Sequence, residues 1–387
     1  MGAGGPGGCR ADRIVDATSG RYGVRVPGKK RRKWPQSRAN APRYTRAPEG
    51  GDAEGGQPPL PVYGALDLGT NNCRLLLARP SSEGFTVIDA FSRIVRLGEG
   101  ASRTGRLGDA AMKRTIEALR ICANKLTWQH VKRRRLIATE ACRMASNGRE
   151  FIRRVKTETG LDLEIIDRET EAQLAVAGAA PLIDADARSV LIFDIGGGST
   201  EIMWLGRDDG DFALREWASL PAGVVTLAER FGGITVSAET YGKMRDFVRD
   251  LLGPFKYKVL DSNSGSPRPD HMLGTSGTVT TIAGVQMQLR RYDRSRVDGT
   301  WLKAEDIVGV TSRLLAMSYE ERAASPCIGR DRADLVLAGC AILEEICAAF
   351  PADRLRVADR GLREGILTHL MREDGTYGAA HGTARPQ

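Results

Sequence analysis

From residue 62 onward the chain alternates short β-type runs with longer amphipathic stretches, and before residue 62 it does neither. Runs rich in aliphatic and β-branched residues over 62–67, 73–79 and 85–92 predict three strands joined as a meander. Apolar positions at helical spacing predict a helix over 107–126, followed by a short strand over 135–138. Asn147, three residues before Glu150, marks a helix start, and Gly160 marks its end. A strand over 161–166 and a helix from 169 to about 180, capped by Asp167, close this half. The order βββαβαβα implies a mixed sheet with helices packed against it.

The second half opens in the same way, with strands predicted over 190–195, 200–205 and 214–219. Helices follow over 223–231, 236–252, 304–316 and 331–349, with short strands at 271–274 and 355–357 and a last helix after Asp359-Arg-Gly-Leu-Arg-Glu-Gly365. The two openings share one device. Val62-Tyr-Gly-Ala-Leu-Asp-Leu-Gly-Thr-Asn-Asn-Cys-Arg74 and Leu191-Ile-Phe-Asp-Ile-Gly-Gly-Gly-Ser-Thr-Glu201 each read as strand, aspartate, glycine turn, strand. Two such hairpins a domain's length apart predict two related lobes, 61–182 and 183–371, facing one ligand. Residues 1–60, rich in Gly, Pro, Ala and Arg, read as a disordered basic arm, and 372–387 as a flexible tail.

At 387 residues, with 41% hydrophobic and 27% charged positions, the chain is long enough for two cores. No run approaches a membrane span and the start lacks the apolar segment of a secretory signal, so a cytoplasmic protein without membrane contact is expected. The seven cysteines contain no Cys-x-x-Cys pair, which argues against a disulfide framework or a zinc site. Of the net charge of +9, residues 1–60 carry +7, from 12 Lys/Arg against 5 Asp/Glu. The remainder is nearly neutral, so an anion must be held by local glycine turns and a few placed cations. The arm itself reads most plainly as a solvated extension, with nucleic-acid contact as the alternative.

Gly69-Thr70-Asn71 and Gly196-Gly197-Gly198-Ser199 offer successive backbone N–H donors with hydroxyl or amide side chains, the groups that phosphoryl oxygens require. Gly274-Thr-Ser276-Gly277, at a predicted helix start, adds a third such segment. Glycines are expected there because the backbone must take positive φ or let a ligand come against bare N–H groups. Asp67 and Asp194 at the turns' lips suit magnesium, which takes one or two carboxylates plus phosphate oxygens and water. From the residues alone, Glu171 is an ordinary first-turn helix carboxylate, and Arg143, in a loop, is equally a phosphate clamp or a surface cation.

With these residues assembled, the chain resembles the exopolyphosphatase and guanosine pentaphosphate phosphohydrolase family, within the wider actin, sugar-kinase and heat-shock-chaperone ATPase fold. The resemblance rests on Ala65-Leu-Asp-Leu-Gly-Thr-Asn71, Val95-Arg-Leu-Gly-Glu-Gly100, Ala138-Thr-Glu-Ala-Cys-Arg143, Ile165-Ile-Asp-Arg-Glu-Thr-Glu-Ala172, Phe193-Asp-Ile-Gly-Gly-Gly-Ser-Thr-Glu201, Gly274-Thr-Ser-Gly-Thr278 and Ala358-Asp-Arg-Gly-Leu-Arg-Glu-Gly365. It implies an α/β fold of two actin-like (ribonuclease H-like) lobes, each a mixed sheet flanked by helices, with the active site in the cleft between them. It also implies that Glu171 is the general base, Asp194 the magnesium-associated carboxylate, Arg143 a phosphate contact, and the glycine segments the phosphate cradle. The chain departs from the family where Asp167-Arg168 replaces a common Ser-Gly, and where Thr170 stands at a frequently acidic position.

The implied reaction is Mg²⁺-dependent hydrolysis of the terminal phosphoanhydride of inorganic polyphosphate, with guanosine pentaphosphate as the alternative substrate. The family also implies a homodimer, and the match is to its short form without an extra helical C-terminal domain. An ATP-dependent kinase of the same fold would need an adenosine pocket and an acceptor-positioning Asp, and a nucleotide switch would need a polymer or peptide interface. No segment of the sequence calls for either.

Overall fold

The computed structural model describes residues 60–208, 211–263 and 266–378. The expected basic arm, apart from Leu60, and the end of the expected tail beyond residue 378 lie outside the described residues.

The first sheet contains β1 (Tyr63–Leu68), β2 (Asn72–Ser81), β3 (Gly84–Ile94), β4 (Arg133–Ala138) and β5 (Glu164–Ile165), in the order β3-β2-β1-β4-β5. Strands β1 to β3 are antiparallel, whereas β4 runs parallel to β1 and β5 parallel to β4. The second sheet contains β6 (Ser189–Ile195), β7 (Thr200–Asp208), β8 (Asp211–Leu220), β9 (His271–Thr275), β10 (Trp301–Lys303) and β11 (Arg354–Ala358), in the order β10-β11-β9-β6-β7-β8. Its β8-β7-β6-β9 segment repeats the β3-β2-β1-β4 arrangement, with β9 parallel to β6. The sequence repeat is thus a repeat of sheet topology.

In chain order the helices are α1 (Ala101–Thr104), α2 (Asp109–Trp128), α3 (Glu140–Met144), α4 (Gly148–Thr159), α5 (Arg168–Ala179), α6 (Val224–Phe231), α7 (Ala238–Ser262), α8 (Gly277–Gln286), α9 (Arg294–Val297), α10 (Ala304–Ala316), α11 (Tyr319–Ala324), α12 (Val336–Ala349) and α13 (Leu362–Glu373). Alternation along the central strands assigns their faces. Leu66 and Leu68 of β1 pack with Ile116, Leu119 and Leu126 of α2, while Tyr63 and Ala65 pack with Leu174 of α5 and Ile366, Leu367 and Leu370 of α13. In β6, Leu191, Phe193 and Ile195 enter the large core with α7, α8 and α12, while Val190 and Ile192 pack with Ala172 and Ala179 of α5. Helix α5 therefore contributes to the cores of both sheets.

By the same alternation, Asp67 and Arg74 share the α5 face of the first sheet, and Asp194 and Glu201 the α5 face of the second. Helix α13 lies tightly on α5. A Cβ on Gly178 would stand 1.9 Å from the Gly361 carbonyl oxygen, and one on Gly365 would stand 1.9 Å from that of Leu174. The C-terminal end of the chain thus returns to the first sheet, where Tyr63 donates a 2.7 Å hydrogen bond to Asp374.

Several local expectations change. Arg143 sits in the short helix α3 rather than in a loop. Asn147 does not cap α4 with its side chain but accepts from the Leu107 N–H at 2.8 Å and donates to the Leu107 carbonyl at 3.0 Å, joining two loops. Helix α7 continues beyond the expected end at 252, through Pro254, to Ser262. Strand β5 is only two residues long because it pairs with β4 at the sheet edge. Asp167 does cap α5, its carboxylate accepting from the Thr170 N–H at 2.7 Å.

Candidate active site

The two glycine turns have the same construction. Gly69 N–H donates to the Asn72 carbonyl and Gly196 N–H to the Ser199 carbonyl, each at 2.9 Å, leaving a two-residue tip between the strands. Because those N–H groups are spent in closing the turns, the free donors are the next ones along. Among the described residues, no acceptor takes the backbone N–H of Thr70, Asn71, Gly197, Gly198 or Ser199. All five residues line one cavity of about 130 Å³. Ser276, Gly277 and Thr278, at the N-terminus of α8, line it too and bring the orphan donors of a helix's first turn. Ser276 holds φ at 146°, a conformation that costs energy for a non-glycine residue and recurs at ligand sites.

None of Gly69 and Gly196 to Gly198 has positive φ, and close approach explains Gly197 and Gly198, whereas a Cβ on Gly69 would meet nothing nearer than 3.7 Å. A Cβ on Gly197 would lie 3.0 Å from Cβ of Thr70, and one on Gly198 would lie 2.7 Å from the Thr70 hydroxyl. The second hairpin's tip is therefore pressed against the first. Gly274 has a different position, inside β9, where a Cβ would lie 2.8 Å from the Phe193 ring, and it does not line the cavity.

Carboxylates line the same cavity, those of Asp67, Glu140, Glu171, Asp194 and Glu201. Asp67 faces Arg74 across the first hairpin, whereas Asp194 faces Glu201 across the second. Directly opposed like charges repel. Burial, then the charge of Glu201, pushes Asp194 up to about 7. Burial also raises Asp67, against the pull of Arg74, and raises Glu201, although Glu201 accepts from the hydroxyls of Ser199 at 2.8 Å and Ser219 at 2.9 Å. Opposed buried acids of this kind keep protons unless a cation displaces them.

Glu171 stands in the first turn of α5, its side chain 13% exposed and its Oε2 accepting from Arg143 Nη2 at 2.9 Å. Burial, then Glu201, raises it to about 9, with Arg143 opposing. Arg143 also donates to Glu140 through Nε at 3.0 Å and to the Ile166 carbonyl at 2.8 Å, so its guanidinium is held beside Glu171 and outside the lining of the cavity. The guanidiniums that do line it are Arg74, with no hydrogen-bond or ion-pair partner among the described residues, and Arg332, whose one contact is a 3.4 Å approach to the Thr281 hydroxyl.

The structure thus gathers Asp67, Gly69, Thr70, Asn71, Glu171, Asp194, Gly196 to Ser199, Ser276 and Gly277 around one cavity. It adds Arg74, Glu140 and Glu201, which sequence reasoning did not single out, and Arg332, which reads in the sequence as part of a structural pair where the C-terminal helices meet. Glu201 carried a legible signal, a lone acid on an apolar strand two residues beyond a glycine turn. Arg332 carried none, since it reaches the cavity from the segment before α12. The side-chain oxygens of Asn71 and Asn72 are buried without a partner. Among the described residues no three His, Cys, Asp or Glu form a cage of their own for a metal. The donors are hard oxygens, which suit a magnesium ion held by one or two carboxylates and completed by phosphate and water, and do not suit zinc.

Comparison with known proteins identifies the family and the fold. Exopolyphosphatase 2 of Mycobacterium tuberculosis is 29% identical over 320 residues, covering 79% of this chain and 97% of the relative. A crystal structure of an Aquifex aeolicus Ppx/GppA family member superposes with a TM-score of 0.68 at 30% identity, covering 82% of this chain and 99% of that one. The crystal structure of an exopolyphosphatase from Cytophaga hutchinsonii gives a TM-score of 0.73 at 25% identity, covering 82% and 100%. The model of the Ppx/GppA phosphatase family matches residues 76–374, a span that contains the second glycine turn, α5 and the start of α8, and the chain belongs to that family.

Proposed function

We propose that this protein hydrolyses the terminal phosphoanhydride of inorganic polyphosphate, releasing orthophosphate. The observation that carries the reading is the row of backbone N–H groups without acceptors at Thr70, Asn71 and Gly197 to Ser199, sharing one cavity with buried carboxylates. Unpaired donors in a partly buried cleft are costly unless an anion takes them. Arg74 and Arg332 add charge for the phosphate oxygens. Glu171 accepts the proton of the attacking water as its oxygen bonds to the terminal phosphorus, the P–O bond to the rest of the chain breaks, and that chain leaves as a phosphate. Arg143 orients the Glu171 carboxylate during this transfer. Asp194 and Asp67 would hold a magnesium ion, which when bound neutralises charge on the phosphoryl oxygens.

A second reading, guanosine pentaphosphate hydrolysis, is favoured by an adjoining cavity of about 790 Å³ that meets the first at Thr70, Glu140 and Gly198. Its lining includes Met144, Pro221 and Phe247, with Glu99 and Glu229 beside Arg103 and Arg230, and the apolar part offers a nucleoside a surface that a chain of phosphates would not use. Orthophosphate release with Mg²⁺, measured on both substrates in parallel, separates the readings. Higher kcat/KM on polyphosphate supports the first, higher kcat/KM on the nucleotide supports the second, and no release from either contradicts both.

A further inference from the structure

Arg168, the first residue of α5, lies three positions before Glu171 and does not line the site. Its Nη2 donates to Glu140 Oε1 at 2.8 Å. The other oxygen of Glu140, Oε2, takes both Nε and Nη2 of Arg143, and that same Nη2 donates to Glu171 Oε2. One carboxylate is thus divided between two arginines, and Arg143 is divided between two carboxylates. An arginine fork pairs best with both oxygens of a carboxylate at once. Arg168 instead anchors Oε1, which fixes the plane of the Glu140 carboxylate and with it the point at which Oε2 holds the Arg143 guanidinium. Without that anchor the carboxylate is free to turn and take the Arg143 fork across both oxygens, which rotates the guanidinium and shifts the Nη2 N–H that, among the described residues, is the side-chain donor on Glu171.

We infer that Arg168 is a positioning residue for the proposed general base, acting through Glu140 and Arg143 to keep one guanidinium N–H on Glu171. The inference rests on Glu171 being the base, and its test separates the two. Steady-state orthophosphate release is measured for wild type, Arg168→Gln, Arg168→Lys, Glu171→Gln and the Arg168→Gln/Glu171→Gln double variant, with thermal melting to confirm folding. Arg168→Gln is expected to lower kcat by roughly 10- to 100-fold, the scale on which a misplacement of order 1 Å acts, with KM nearly unchanged. Arg168→Lys, which keeps a cation on Oε1, is expected to restore most of kcat. The double variant should lose no more than Glu171→Gln alone, because the effect of Arg168 passes through Glu171. Unchanged kcat in Arg168→Gln, a rise in KM in place of a fall in kcat, failure of the lysine to rescue, or additive losses in the double variant would each overturn the inference. Full activity in Glu171→Gln would instead overturn the assignment of the base. If the glutamine variant melts early, Arg168→Met, which keeps the aliphatic stem in place, replaces it in the same scheme.

Discussion

At the scale of single residues, the chemistry lies in which carboxylates keep protons. Glu171 is raised by burial and by Glu201, with Arg143 opposing, to about 9. A base works only when deprotonated, so a raised value moves the acid limb of the rate profile to higher pH. A bound cation offsets the neighbouring carboxylates and lowers that value, so the acid limb of the rate profile is expected to move to lower pH as Mg²⁺ is raised, and a limb that stays fixed while Mg²⁺ is varied would contradict the assignment. Much at this scale was legible in the sequence. Asp67 and Asp194 announce themselves at the lips of glycine turns, and the Asp167 cap fixes the register of α5 and therefore where Glu171 falls. The pairing of Arg143 with Glu140 and Glu171 was not legible, because residues 140, 143 and 171 come from two helices whose approach is set by packing. Of the two reasons expected for the turn glycines, positive φ does not apply, and close contact with Thr70 of the other hairpin requires Gly197 and Gly198.

At the scale of elements, α5 organises the molecule. It joins the cores of both sheets and ends, at its N-terminus, beside the two aspartates. Its contact with α13 runs through Gly178 and Gly365, where a methyl group would stand 1.9 Å from a backbone carbonyl oxygen of the facing helix. A backbone atom cannot rotate away as a side chain does, so Gly178→Ala or Gly365→Ala should destabilise by at least about 1–3 kcal/mol. Thermal melting of either variant checks this, and an unchanged midpoint would show that the helices separate at little cost. The hydrophobic pattern revealed α5 and most strands, since long periodic runs survive tertiary context. It missed α1, α3, β10, α9 and α11, which are too short to show a period, and it ended α7 ten residues early, before Pro254.

At the scale of the whole molecule, the repeat is the feature most fully written in the sequence, and it yields two sheets of matching topology. What the repeat could not reveal is its electrostatic asymmetry, with Asp67 opposite Arg74 in one sheet and Asp194 opposite Glu201 in the other. That asymmetry affects stability. Asp67, Asp194, Glu171 and Glu201 are all raised in the folded state, so the fold binds more protons than the unfolded chain above the ordinary carboxylate range. Their contribution is complete below that range and is lost as pH rises through the folded values, about 7 for Asp194 and about 9 for Glu171. Without divalent cations the melting temperature should therefore fall from about pH 5.5 to pH 9, and a rise over that interval would contradict the picture. Added Mg²⁺ should raise the melting temperature more at about pH 8 than at pH 6, because ligating carboxylates must be deprotonated. No shift at either pH would count against a cation between the hairpins.

The central claim is that a water deprotonated by Glu171 attacks a phosphoryl group held by the two glycine turns. The most direct measurement is orthophosphate release from polyphosphate by wild type and Glu171→Gln, with substrate binding measured alongside. The variant is expected to lose about 10²–10⁴-fold in kcat, as for removal of a general base, while still binding substrate. Wild-type turnover in the variant would contradict that claim.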